Sequence, residues 1–205
     1  MALDSYTALQ ASVANWLDRS DLTSVVPDLI LLAEKSLNRT LRTRRMIQRS
    51  NATVDSEYST LPSTFLEMKA ISVQGTYTTP LVYKTAQQID SQAEQYQSAA
   101  KPQFYTIIED YFQVQPVPDQ AYTLEMIWYQ EIPSLASNST NHVLANSPDL
   151  YLYGSLVAAQ PFLREDERLP TWQGLYNKAL AEVMAEDTRA VSSGSNLTIN
   201  YSPIG

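Results

Sequence analysis

Ser24-Val-Val-Pro-Asp-Leu-Ile-Leu-Leu-Ala-Glu-Lys-Ser-Leu-Asn-Arg-Thr-Leu-Arg-Thr-Arg-Arg-Met46 is the stretch on which the fold reading turns. Thr23 or Ser24 can cap a helix, and Pro27 fits its first turn, where an amide proton has no partner to lose. Val26, Leu29/Ile30, Ala33, Leu37 and Leu41 then recur at three- and four-residue steps, which places them on one helical face. After Arg42 that period stops. Residues 46–58 are polar and β-branched, and Leu61-Pro-Ser63 reads as a turn.

Upstream, Ser5 to Leu17 predicts a second amphipathic helix with Tyr6, Leu9, Val13 and Trp16/Leu17 on one stripe. The polar break Asp21–Ser24 makes the two helices an antiparallel pair. Downstream, residues 69–77 and 80–83 read as strands, and Thr85–Gln97 as a polar surface helix showing Ile89, Ala93 and Tyr96. Phe104–Ile108 and Tyr111–Gln115 flank Glu109-Asp110 as a hairpin lacking the Gly that a tight turn prefers. Tyr122, Leu124, Met126 and Trp128 alternate with less apolar neighbours, as a strand with one fully buried face does.

Residues 133–146 form a Ser/Asn-rich linker. Ser147-Pro-Asp149 opens a helix that is apolar almost all round to Leu163, and so central. A last helix from about Glu165 to Thr188 carries Trp172, Tyr176, Ala179/Leu180 and Val183. An isolated helix pair buries too little to persist. The expected fold is therefore α+β: a four-helix bundle built from N- and C-terminal helix pairs (1–43 and 141–189), an inserted β-rich lobe (44–140) and an extended C-terminal arm (190–205).

Composition narrows the chemistry. The chain has 205 residues, no Cys, one His and five Gly. Disulfides and thiolate metal sites are excluded, and no phosphate-cradling glycine loop can be built. His142 has no Gly-x-Ser-x-Gly elbow to serve and reads as a linker histidine. Glu165-Asp-Glu167 point in different directions on a helix, so no catalytic residue, cofactor or metal is expected. The amino terminus has no basic or apolar leader, and Val25–Ala33 is too short to span a bilayer. The expectation is a protein made in a cytoplasm, without a membrane partner. Thirteen tyrosines against four phenylalanines suit half-buried strands or protein interfaces equally.

The formal net charge is -8. Lys35 to Arg49 nonetheless holds six bases and no acid, so the remainder carries -14. Arg39, Arg42, Arg44, Arg45 and Arg49 have three readings. They bind phosphates, dock on an acidic partner surface, or sit at a helix end where the dipole favours cations. The last reading suits Arg39 and Arg42 better than the other three.

Several stretches together resemble the head-to-tail adaptor (connector) proteins of tailed bacteriophages, particularly those of short-tailed phages. They are Trp16-Leu-Asp-Arg-Ser-Asp-Leu22, Ala33-Glu34 running into Leu41-Arg-Thr-Arg-Arg-Met46, Leu61-Pro-Ser-Thr-Phe-Leu-Glu67 and Pro102-Gln-Phe-Tyr-Thr-Ile107. Gln115-Pro-Val-Pro-Asp119 with Tyr122-Thr-Leu124 follows. The most specific part is Asn141-His-Val-Leu144, Pro148-Asp-Leu-Tyr-Leu-Tyr-Gly154, Phe162-Leu-Arg-Glu-Asp-Glu-Arg168 and Trp172. Departures stand at Glu109-Asp110, where the family has a Gly-containing turn, and at Thr64, where it has an acid.

The resemblance implies a structural virion protein at the head-tail interface, assembled in the host cytoplasm. It implies a ring, expected to be of twelve copies, that docks on the portal protein, joins a tail or nozzle protein, and passes genomic DNA without specific binding. Arg39–Arg49 become candidate portal or inter-subunit contacts. Ser192–Ile204, with Asn196, Leu197, Ile199, Tyr201 and Ile204, becomes a candidate assembly arm. The competing classes are another tail or virion structural protein and a DNA-binding module without sequence preference.

Overall fold

A computed structural model describes residues 3–96, 98–163 and 166–192. The chain divides into two compact units, Met1–Arg45 with Ile132–Gly205, and Met46–Glu131.

The first unit is helical: α1 (Tyr6–Leu17), α2 (Val26–Thr40), α4 (His142–Asn146), α5 (Pro148–Ala158) and α6 (Leu169–Ser192). Ser5 caps α1, its hydroxyl oxygen accepting from the Ala8 N–H at 3.3 Å, and Asp18 ends the helix in the left-handed region at φ 52°. In α2 the stripe foreseen from sequence is buried: Val26, Leu29, Ile30, Ala33, Leu37 and, just past the end, Leu41. Each of the Val, Leu and Ile side chains contributes roughly 1.5–3 kcal/mol by leaving water.

The four-helix bundle of paired terminal helices is not what forms. The helix α5 buries Leu150, Tyr151, Leu152, Gly154, Ser155 and Leu156, residues that spread around most of its circumference. It therefore packs against α1, α2, α4 and α6 in turn, while α6 packs mainly on α5. Four rods sharing one core each need a single apolar stripe; a helix apolar all round becomes a hub instead. A fifth helix, α4, also lies inside the span read as linker. It exists because Asn141 caps it, the side-chain oxygen accepting from the Val143 and Leu144 N–H groups at 3.1 and 2.9 Å.

Buried polar groups fasten residues 132–141 to this unit. Asn38 Oδ1 accepts the Ile132 N–H at 2.8 Å, and Glu34 Oε2 accepts the Leu135 N–H at 2.9 Å and the Tyr151 hydroxyl at 3.4 Å. Asn141 Nδ2 donates in turn to the Tyr151 oxygen at 2.8 Å. Glu34 and Asn38 are 2% and 4% exposed, so these bonds satisfy groups that water cannot reach. Burial, and then the neighbouring Glu34, push the Tyr151 phenol far above its ordinary pKa.

The second unit contains two four-stranded sheets and one helix. The strands are β1 (Ile47–Val54), β2 (Tyr58–Thr60), β3 (Phe65–Val73), β4 (Thr79–Pro80), β5 (Val82–Tyr83), β6 (Phe104–Ile108), β7 (Tyr111–Gln115) and β8 (Tyr122–Gln130); the helix is α3 (Ala86–Gln95). One sheet runs β1-β8-β3-β4 and the other β2-β7-β6-β5. Pairing is antiparallel except between β5 and β6.

Val54, Ile71, Val73, Leu124, Met126 and Trp128 of the first sheet join Tyr105, Phe112 and Val114 of the second in one core. The period-two alternation of β8 supplies three of these residues, Leu124, Met126 and Trp128. The opposite face of the second sheet buries Thr106, Gln113 and Gln115, and α3 packs against β6 and β7 with Ile89 fully buried.

Candidate docking surface at the end of helix α2

The arginine cluster divides in the structure. The helix α2 ends at Leu41, whose backbone turns extended at φ -82° and ψ 137°. The Arg42 guanidinium donates to the carbonyls of Asn38 and Leu41 at 2.8 and 2.7 Å, so Arg42 closes the helix end that would otherwise leave acceptors open. Arg49 stands on β1 in the other unit, where its Nε meets Glu125 Oε1 of β8 at 2.5 Å. Glu125 also accepts from Gln74 Nε2 at 2.5 Å.

Arg39, Arg44 and Arg45 are exposed. Among the described residues no side-chain hydrogen bond or ion pair holds their guanidinium groups. Arg44 is fixed through its backbone, its N–H donating to Asp187 Oδ1 of α6 at 2.9 Å. Three cations are therefore held on an anchored segment with their heads in water.

A cleft of about 50 Å³ is lined by Leu41, Val143, Leu150 and Val183 together with Arg44, Arg45, His142, Glu186 and Asp187. A site for a small organic substrate is roughly 300–1,000 Å³, so this is a notch and not a substrate pocket. His142 Nε2 is buried there without a hydrogen-bond partner among the described residues. Burial first, and then the Arg45 charge, lower its pKa, which keeps the ring neutral at pH 7. Two guanidinium and two carboxyl groups around a neutral imidazole present a mixed polar rim suited to a protein partner. Among the described residues no group of three His, Cys, Asp or Glu is placed to hold a metal ion, and no helix is long and apolar enough to cross a membrane.

Other residues quoted from the sequence take structural roles. Arg168 donates to Asp166 at 2.7 Å and to the Trp16 carbonyl at 3.1 Å, and its guanidinium lies 4.9 Å from the Trp172 ring centre. It thereby ties the end of α1 to the start of α6, and its hydrogen bond holds the Asp166 carboxyl below the ordinary value. Asn196, Leu197, Ile199, Tyr201 and Ile204 lie outside the described residues.

Sequence reading missed a group of exposed apolar side chains in the second unit: Tyr58, Ile108 and Tyr111, 53%, 47% and 48% exposed. The tyrosine excess was the available signal, but composition gives no position.

No curated protein matches the chain. The profile of the SU10 adaptor protein family matches residues 4–198, which includes the arginine segment, both sheets and every helix. With nearly its whole length matched, the chain belongs to the SU10 adaptor protein family and is a structural adaptor of tailed bacteriophages, a virion component with portal and tail as the family's partners.

Proposed function

We propose that this chain is the repeating subunit of a head-to-tail adaptor ring, expected in twelve copies, which docks on the portal at the capsid vertex, joins it to the tail and lets DNA pass. The family match over residues 4–198 is the observation that carries the reading. The helical unit and the inserted β-rich unit would then act as separate contact modules. A net charge of -8 suits a passage wall, because like charge keeps a duplex from adhering. Arg39, Arg44 and Arg45, whose guanidinium groups have no hydrogen bond or ion pair among the described residues, serve as contacts to the portal or to a neighbouring subunit. Residues 192–204 serve as the arm that engages the portal, and assembly takes place in the host cytoplasm.

Electron microscopy of the full chain mixed with the portal protein of the same phage tests this. Wild type should give a collar on the portal. The triple variant Arg39→Glu, Arg44→Glu, Arg45→Glu should lose the collar and keep its far-ultraviolet circular dichroism; Arg42 is spared because it closes α2. Docking of the triple variant at wild-type level would remove the arginines from the contact. Salt-dependent retention of duplex DNA by a monomer that forms no collar would favour a DNA-binding module instead.

A further inference from the structure

We infer that the tip of the β6–β7 hairpin, with Tyr58 beside it, is the face on which a second copy of this chain docks through Arg39, Arg44 and Arg45. The inference rests on the ring reading above and assigns its two faces.

The sheet register puts the apolar side chains together. Ile108 pairs with Tyr111, Tyr111 with Thr60, and Tyr58 two residues earlier pairs with Gln113. With side chains alternating along each strand, Tyr58, Ile108 and Tyr111 share one face. That face is buried where α3 packs, at Thr106 and Gln113, which are 1% and 3% exposed. The exposed trio is the part of it that α3 leaves open.

Acids frame the trio. Glu109 and Asp110 form the turn itself and are exposed, and Asp90 of α3 is close enough to raise the Tyr58 phenol's pKa after burial and Glu57 have done so. The unit from 46 to 131 holds ten acids and four bases, a net of -6. All four bases have partners elsewhere. Arg49 meets Glu125, Lys101 Nζ donates to Thr79 Oγ1 at 2.8 Å, and Lys69 and Lys84 lie over the rings of Tyr129 and Phe104 at 5.7 and 5.4 Å. Among the described residues no ion pair neutralises Glu109, Asp110 or Asp90.

Two tyrosine rings beside unpaired carboxylates form a receptor for guanidinium groups, which stack on aromatic faces and donate to carboxylates together. The chain carries a complementary basic segment. Residues 35–45 hold Lys35, Arg39, Arg42, Arg44 and Arg45 and no acid. Three of these arginines are exposed, and they belong to the other unit. A receptor on one unit and its ligand on the other make a heterologous contact, which closes into a ring when its rotation permits.

Exchanging the charges tests this on the full chain, by native mass spectrometry and by electron microscopy with the portal protein. Glu109→Arg with Asp110→Arg should weaken self-association at least tenfold, as should Arg44→Glu with Arg45→Glu. Combining all four substitutions in one chain should restore the ring. Tyr111→Ala, which keeps the charges, should also weaken it, with the thermal midpoint unchanged in every variant. A ring from the Glu109→Arg, Asp110→Arg chain would overturn this face while leaving the ring reading intact. Loss in both pairs without rescue in the combined variant would assign the tip to a different basic partner and overturn the second copy as occupant. No ring from wild type, alone or on the portal, would overturn both readings.

Discussion

Replacing Glu34 by Leu is the sharpest probe of the helical unit. The substitution nearly conserves volume, so it isolates what the carboxyl group does. It removes the acceptor of the Leu135 N–H, now at 2.9 Å, and of the Tyr151 hydroxyl, now at 3.4 Å, at a residue that is 2% exposed. A buried amide left without a partner costs about 1–3 kcal/mol, and the longer hydroxyl bond adds about 1 kcal/mol. Removing a buried carboxyl returns part of this, so about 2 kcal/mol is expected. That corresponds to roughly 30-fold faster hydrogen exchange at Leu135, read by mass spectrometry of peptides covering 132–141. Glu34→Gln keeps a carbonyl oxygen and should lose about 1 kcal/mol or less. Equal exchange in Glu34→Leu and wild type, or a larger loss in the Gln variant, would show that this latch does not hold the segment.

Three further outcomes follow from named contacts. The folded His142 ring has a pKa below the ordinary 6.5, so stability present above pH 6.5 falls as pH drops from there towards the folded pKa; His142→Gln should flatten thermal midpoints across that window. A Cβ on Gly154 would stand 3.2 Å from both Ala33 Cβ and Tyr176 Cε2, and Gly154→Val should cost about 1–3 kcal/mol by urea unfolding, whereas an unchanged midpoint would mean α2, α5 and α6 do not crowd there. Glu109 sits at φ 54°, where glycine carries no steric penalty, so Glu109→Gly should raise stability by up to about 1 kcal/mol; a loss would show that the Glu side chain supports the turn.

Local signals proved readable in the sequence. The Tyr6–Leu17 helix, the α2 stripe around Pro27, and the strands on either side of Glu109-Asp110 all depend on neighbours a few residues away, and all form, although α2 starts after Val25 with no side-chain cap bond where Thr23 or Ser24 was expected to supply one. What escaped depends on distant partners. Asn141 looks like linker until its side chain is seen capping a five-residue helix whose packing partner is α5. The all-round apolar character of α5 was visible, yet it argues for a hub and against four equivalent rods. Glu34 and Asn38 break an apolar stripe four residues apart, but the backbone amides they accept from lie 101 and 94 residues away. The same holds for the arginines: close together in sequence, they divide among a helix end, an interstrand ion pair and an exposed set.

The pairing of β1 with β8 has a consequence for how the polypeptide is made. Ile47 lies opposite Tyr129, so the first and last strands of the second unit are neighbours, and every residue of that unit is contiguous from 46 to 131. This piece can close during translation as soon as it clears the ribosome. The α2 stripe, already synthesised, has to wait for α5 to emerge before Leu29 and Leu37 find their cover. Early ribosome-bound chains should therefore present a finished β unit behind an uncovered helix, which makes the leading segment the natural client of a chaperone.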